Sequence, residues 1–328
     1  MVKRRVDYSR RKKKKSPVPF LIILNVILWG SGLYLWFRDS EWFSMGGVVG
    51  DLNQGRFESE SRQLPVFNEA NALASHEVSL ELDSAHVLLI NLTTHDVVFA
   101  QNSNERAYPA SLTKIMTVLL GIEHTTNDEL TVFADFNQLF IEGAAMAGFS
   151  YGETRTLEEV LHGMMLPSGA DATTTLAYHV SGTYEAFVAL MNEKAREIGM
   201  ENTHFMNASG LHHPAHYSTA MDLAILFRYA LQYEQFREII MTPAYDITLE
   251  DGREHTMLNT MHALMFDTAF SGGEILGGKD GYTHEASWCL ASFATDGADE
   301  YMLITLDAKS LHGHIFDAFD AYEYFFNW

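Results

Sequence analysis

Ser111 and Lys114 stand three residues apart in Pro109-Ala-Ser-Leu-Thr-Lys-Ile-Met-Thr117, a spacing that puts a hydroxyl and an amine on one helix face with Cβ atoms about 5–6 Å apart. A nucleophile then lies beside a base. Spacing alone is weak, because Ser9-Arg-Arg-Lys12 repeats it inside a basic tail. Context separates the two. Ser111 opens a run with Leu112, Ile115, Met116, Leu119 and Ile122 at helical period, and the free N–H groups of a helix N-terminus favour developing negative charge. Lys114 is embedded in that apolar run, where an amine is out of place. Taken by itself, the pair also fits a capping serine and a lysine that snorkels to solvent.

Two further segments carry polar groups on turns. Leu166-Pro-Ser-Gly-Ala-Asp-Ala172 joins two expected helices and presents Ser168 on a tight turn. Gly277-Gly-Lys-Asp-Gly-Tyr-Thr283 is expected to open a strand with Lys279 among glycines, where the missing side chains admit close approach of a ligand to the backbone.

The elements that position these residues read as mixed. Residues 85–92 and 97–101 form two strands around the turn Thr94-His-Asp96. The helix from Pro109 to Ile122 is expected to be buried nearly all round. Thr156-x-x-Glu159 is a capping box for a helix ending at Pro167, and Thr219-x-x-Asp222 opens another through Leu231. Strands return over 281–295 and 301–307, and residues 314–326 close as an amphipathic helix. Strands at both ends with helices between predict an α+β fold: an antiparallel sheet flanked by helices, plus a helical lobe.

Composition bounds the surroundings. The chain has 328 residues with 47% apolar content, ample for a core. The stretch through Arg38 holds ten of the 22 bases and one of the 43 acids, so residues 39–328 carry 12 bases against 42 acids. That excess repels phosphate backbones and argues against nucleic acid as a partner. Cys289 is the only cysteine, so no intrachain disulfide forms. Residues 1–16 read as a basic cytoplasmic tail. Residues 17–37 are free of charge and at ~1.5 Å per residue span a ~30 Å hydrocarbon layer, with the basic residues marking the cytoplasmic side. An uncleaved anchor in the cell membrane and an extracytoplasmic body are therefore expected, rather than a cleaved signal peptide. Residues 38–79, with Gly46, Gly47, Gly50 and Gly55, read as a flexible stalk, and residues 80–328 as the folded domain.

Ser111-x-x-Lys114, then Ser168, then Lys279-x-Gly281 follow the order of the active-site serine penicillin-recognising enzymes. With Met164-Met-Leu-Pro-Ser-Gly-Ala-Asp-Ala172, Asn207-Ala-Ser-Gly-Leu211, His216-Tyr-Ser-Thr-Ala-Met-Asp-Leu-Ala224 and Gly278-Lys-Asp-Gly-Tyr-Thr283, the chain from about residue 80 resembles the serine-type D-alanyl-D-alanine carboxypeptidases, the low-molecular-mass penicillin-binding proteins. The resemblance implies a penicillin-binding, serine β-lactamase-like fold. It also implies a hydrolase of the bacterial cell wall that trims peptidoglycan stem peptides through an acyl-enzyme, with β-lactams as covalent inhibitors and no cofactor. By that resemblance Ser111 is the nucleophile, Lys114 its base and Ser168 a proton relay. Lys279, Asp280, Gly281 and Tyr282 contact substrate, Lys279 through the terminal carboxylate and the N–H groups of Ser111 and Tyr282 as the oxyanion hole.

Two motif positions depart from the family. Ser168-Gly-Ala170 replaces Ser-x-Asn, and Lys279-Asp-Gly281 replaces Lys-Thr-Gly. An ionised Asp280 donates no hydrogen bond to a substrate carboxylate, repels it, and raises the pKa of Lys114. Weakened turnover or an altered substrate is expected, and the alternative is an impaired homologue that binds or regulates at the cell wall. A metallopeptidase built on His212-His-Pro-Ala-His216 is disfavoured, because Pro214 breaks the helix that aligns such ligands and no glutamate fills the HExxH place. A class A β-lactamase is disfavoured by the lack of Glu-x-x-x-Asn between Ser168 and Lys279.

Overall fold

The computed structural model describes residues 66–327, except 71, 75–77, 126–128, 134–143 and 266. They belong to the unit Arg62–Trp328. The expected tail (1–16), the expected anchor (17–37) and the expected stalk up to residue 65 lie outside the described residues. Among the described residues no helix is long and apolar enough to cross a membrane.

Val87, Leu88, Leu89 and Ile90 follow one another in a strand and are all fully buried. Side chains alternate across a strand, so such a run requires cover on both faces. The sheet supplying it contains β1 (Leu73–Ala74), β2 (Ser84–Asn91), β3 (Val97–Gln101), β8 (Ala269–Phe270), β9 (Gly273–Thr283), β10 (Ser287–Thr295) and β11 (Glu300–Ala308). Their order is β1-β3-β2-β11-β10-β9-β8, antiparallel throughout apart from the short parallel pair β1–β3.

On one face Val87, Leu89, Leu290 and Leu303 pack against Ile315, Ala318 and Tyr322 of a C-terminal helix (Gly313–Phe326). On the other, Leu88, Ile90, Phe293 and Ile304 meet the main core. Each large side chain so buried contributes roughly 1.5–3 kcal/mol. Asp317 of that helix accepts from Asp83 N at 2.9 Å and Ser84 N at 2.7 Å, fastening it to the start of β2.

The helical lobe is built around α1 (Thr113–His124), whose residues from Thr113 to Gly121 are all buried. Gly121 packs tightly there: a Cβ would meet Leu176 Cδ2 at 2.6 Å, so that leucine would have to shift. Around it stand α2 (Leu157–Met165), α3 (Ala170–Ser181), α4 (Tyr184–Glu197), α5 (Ala220–Ala230) and α6 (Glu234–Met241). The capping box opens α2 as expected, with Thr156 Oγ1 accepting from Glu159 N at 3.1 Å and Glu159 Oε2 from Thr156 N at 2.8 Å. Two antiparallel strand pairs, β4 (Glu129–Thr131) with β5 (Thr154–Thr156) and β6 (Ala244–Thr248) with β7 (Glu254–Leu258), border the lobe. A short α7 (Thr260–Leu264) follows, and the C-terminal helix is α8. The architecture is the expected α+β one.

Two expectations need correction. The glycine-rich segment 277–283 ends a strand instead of opening one: β9 starts at Gly273 and turns at residues 284–286 into β10. Glycine lowers the strand propensity that would reveal this in the sequence, and the register with β10 from Thr283–Ser287 to Glu274–Thr295 holds the strand instead. The body also begins before residue 80. Phe67 is buried beneath the Arg228 guanidinium at 3.8 Å, Asn68 N donates to His95 O at 2.9 Å, and Leu73 and Ala74 pair with Phe99 and Ala100. Phe67, Asn68, Leu73 and Ala74, within the expected stalk, are thus packed structure.

Candidate active site

Ser111 occupies a 3-10 turn, Ala110–Leu112, that leads into α1. Ala110 takes φ 47°, a left-handed conformation that costs a non-glycine residue energy and is held by its surroundings. Two glycines permit the crowding. A Cβ on Gly210, itself at φ +85°, would stand 1.8 Å from Ala110 O, and one on Gly281 would stand 2.7 Å from Ser111 N. Gly210 is fixed by Asn207, whose Oδ1 accepts from Gly210 N at 2.7 Å and Ser209 N at 3.2 Å.

Lys114, one turn on, is 3% exposed. Its Nζ lies 3.3 Å from Ser111 Oγ and donates to Ser209 O at 2.7 Å. Burial, and after it the nearby Lys279 cation, bring its pKa down to about 7 against the opposing pull of Asp280 and Asp171. An amine so placed has a lone pair to accept the Ser111 proton near neutral pH.

Ser168 sits between α2 and α3 at φ 65°. Its Oγ is buried and has no hydrogen-bond partner among the described residues. Ala170, one of the two departures from the resembled motifs, begins α3 and donates its N–H to Ala145 O at 2.8 Å. Asp171 Oδ1 accepts from Ala147 N at 2.8 Å, and its Oδ2 from Gly148 N and Phe149 N at 2.9 Å each, holding that segment against the cleft.

Lys279 lies on β9 and is 2% exposed. Its ammonium donates to Asp280 O at 2.8 Å and Asp280 Oδ1 at 3.1 Å. Thr260 Oγ1, at the start of α7, donates to the same Asp280 oxygen. Burial pushes the Asp280 carboxyl up, but Lys279, the Thr260 hydroxyl and His314 outweigh it and hold the group below the usual carboxylate range. Behind it His314 is fully buried and stacked on Trp288 at 5.0 Å, and Tyr282 rests on the same indole at 4.6 Å with half its surface in solvent.

One cleft therefore brings together Ser111, Lys114, Ser168, Lys279, Asp280, Gly281 and Tyr282. Two contributors were not anticipated. Ser209 supplies the carbonyl that orients Lys114, and Asn207-x-Ser-Gly, a turn signature, was the signal for it. Thr260 pins Asp280 from 20 residues away, and nothing in the local sequence marks it. The clustered histidines have separate tasks. His216 is buried, accepts from Met206 N at 3.3 Å, meets Thr113 Oγ1 at 2.9 Å, and is pushed by burial to about 3. His213 Nδ1 accepts from Ala215 N at 3.0 Å, and His212 stands edge-on to Tyr108.

A family model described as D-alanyl-D-alanine carboxypeptidase matches residues 71–310. The D-alanyl-D-alanine carboxypeptidase DacF of Bacillus subtilis is 36% identical over 250 residues, which is 74% of this chain and 62% of that protein. The chain thus spans under two thirds of that relative's length. Among solved structures, the Streptomyces K15 DD-transpeptidase superposes with a TM-score of 0.69 at 26% identity, covering 76% of this chain and all of that one. A D-alanyl-D-alanine carboxypeptidase of Mycobacterium tuberculosis gives 0.68 at 26% identity over 80% of this chain and 96% of its own.

Proposed function

Because the chain belongs to the D-alanyl-D-alanine carboxypeptidase family, we propose that it is a serine hydrolase that removes the residue after the scissile D-Ala bond of peptidoglycan stem peptides. The observation that carries this reading is the buried Lys114 amine 3.3 Å from Ser111 Oγ. Lys114, neutral near pH 7, takes the Ser111 proton as Oγ bonds to the carbonyl carbon of the penultimate D-alanine. The N–H groups of Ser111 and Tyr282 hold the oxyanion. As the C–N bond breaks, the proton passes through Ser168 to the departing amine. Water then gives a proton to Lys114 and attacks the ester carbonyl, and as the ester C–O bond breaks Lys114 returns that proton to Ser111 Oγ, leaving a shortened peptide acid. Lys279 faces the terminal group of the substrate.

β-Lactams acylate the same oxygen in this reading. Mass spectrometry of the chain after prolonged incubation with benzylpenicillin is expected to show one adduct, on the peptide containing Ser111 and absent from Ser111→Ala. Release of D-alanine from a D-Ala-D-Ala peptide above the Ser111→Ala background is the companion measurement. No adduct and no Ser111-dependent release would sink the proposal.

The site of action follows from the N-terminus. Residues 17–37 anchor the chain in the cytoplasmic membrane, with the basic residues 3–15 inside and the catalytic unit outside. Protease added to intact spheroplasts is then expected to digest the catalytic unit and spare the tail; protection of the whole chain contradicts it.

A further inference from the structure

The cleft pairs a donor with an acceptor where a carboxylate needs two donors. Lys279 spends two of its three N–H groups on Asp280, one on the carbonyl and one on Oδ1, which leaves one for a ligand. Asp280 Oδ1 is further occupied by the Thr260 hydroxyl, while Oδ2 accepts no hydrogen bond from the described residues. Both side chains line the cleft beside Ser111 and Ser168, and Ala170 brings no polar group to offset the carboxylate. Apart from the Ser168 hydroxyl, assigned above to the proton relay, the Lys279–Asp280 pair offers one free N–H and one free anionic oxygen. A free terminal carboxylate would bring two acceptors against it and meet Asp280 as a like charge. A primary carboxamide matches it, its oxygen accepting from Lys279 and its NH2 donating to Asp280 Oδ2. The short chain of contacts from Thr260 and Lys279 fixes the carboxylate from two sides, so it cannot swing aside without leaving a buried ammonium unpaired.

We propose that Asp280 is the specificity-determining residue of this cleft and selects stem peptides whose terminal carboxyl is carried as a primary carboxamide over those ending in a free carboxylate. The selection rests on the hydrolase reading above and names its substrate class. The chemistry is unchanged: Ser111 Oγ bonds to the carbonyl carbon of the penultimate D-alanine, the C–N bond breaks, and the leaving amine takes its proton as D-alaninamide in place of D-alanine.

The test compares two probes on the full chain, an N-acetylated tripeptide ending in D-Ala-D-Ala and the same tripeptide as its C-terminal carboxamide, with Ser111→Ala as background. Release of D-alanine and of D-alaninamide is followed by chromatography. The native chain is expected to favour the amide in kcat/KM by about tenfold or more. Asp280→Asn keeps the shape and can turn an NH2 toward a carboxylate, so the ratio is expected to fall by about tenfold or more, and Asp280→Thr is expected to move it the same way. Ser111-dependent turnover that favours the free acid in the native chain overturns the selection and leaves the hydrolase reading standing, as does a ratio indifferent to both substitutions. Turnover of neither probe above background overturns both.

Discussion

Gly281 passes so close to the Ser111 turn that a side chain on it would begin 2.7 Å from the Ser111 amide nitrogen and 3.1 Å from Ala110 Cβ. Neither neighbour yields easily, since one is backbone and the other belongs to a residue already in left-handed conformation. Gly281→Ala is expected to push β9 away from the turn, costing about 1–3 kcal/mol of stability. Its effect on chemistry should be larger, because a displacement near 1 Å at reacting atoms costs about a hundredfold in rate. Thermal denaturation together with the rate of penicillin adduct formation checks both; a variant acylated at the native rate would show the contact to be slack.

Lys114 links activity and stability to pH in opposite senses of protonation. Its pKa of about 7 makes the fraction of free amine, and so the acylation rate, climb from pH 5 to 8 and level off above. In the unfolded chain the same amine keeps a proton up to ~10.4. Between those values the unfolded state binds the extra proton, so this group's penalty on folding is full below pH 7 and fades as pH rises to 10.4. Lys114→Met removes that penalty but leaves Ser209 O without its donor, for a net gain of about 2 kcal/mol at pH 7. Denaturation of the pair at pH 7 and pH 10 tests this: the gain should shrink at the higher pH while acylation stays abolished.

Penicillins carry a carboxylate of their own, and Asp280 opposes it. Ala170→Asn combined with Asp280→Thr supplies an amide and a hydroxyl in place of a methyl and an anion. Acylation by benzylpenicillin is expected to quicken by about tenfold or more. An unchanged acylation rate would mean that neither departure limits the reaction.

Asp317 holds α8 to the start of β2 through Asp83 N and Ser84 N. Asp317→Ala leaves the buried Ser84 N–H and the part-buried Asp83 N–H unpaired and is expected to destabilise the fold by about 2–3 kcal/mol. The group faces the far side of the sheet from α1, so the acylation rate at 25 °C should hold while the melting temperature drops.

The helices and the central strands were legible because they depend on neighbours in sequence. The box at Thr156 and Glu159 closes within four residues, and the α1 apolar period needs only its own side chains to be seen. Ser111 and Lys114 share that locality. What escaped was long-range. The first half of β9 hides in Gly273, Gly277 and Gly278, where strand character comes from pairing with β8 and β10 rather than from propensity. Phe67 and the short β1 look like linker until Arg228 and β3 are beside them. At the site, the charge of Asp280 was visible, and its tie to Thr260 was not, because a contact between α7 and β9 has no local signature.

Cys289 faces Gly281 across the β9–β10 ladder, wholly buried, its sulfur near the carbonyls of Tyr108 and Ala286 and its thiol pushed by burial up to about 12. Sulfur chemistry requires a thiolate that reagents can reach, and this one offers neither charge nor access. The strand beside Ser111 consequently offers oxidants, alkylating agents and stray mixed disulfides no reactive thiol, and a sulfur so enclosed gives two copies of the chain no means of becoming covalently joined through it.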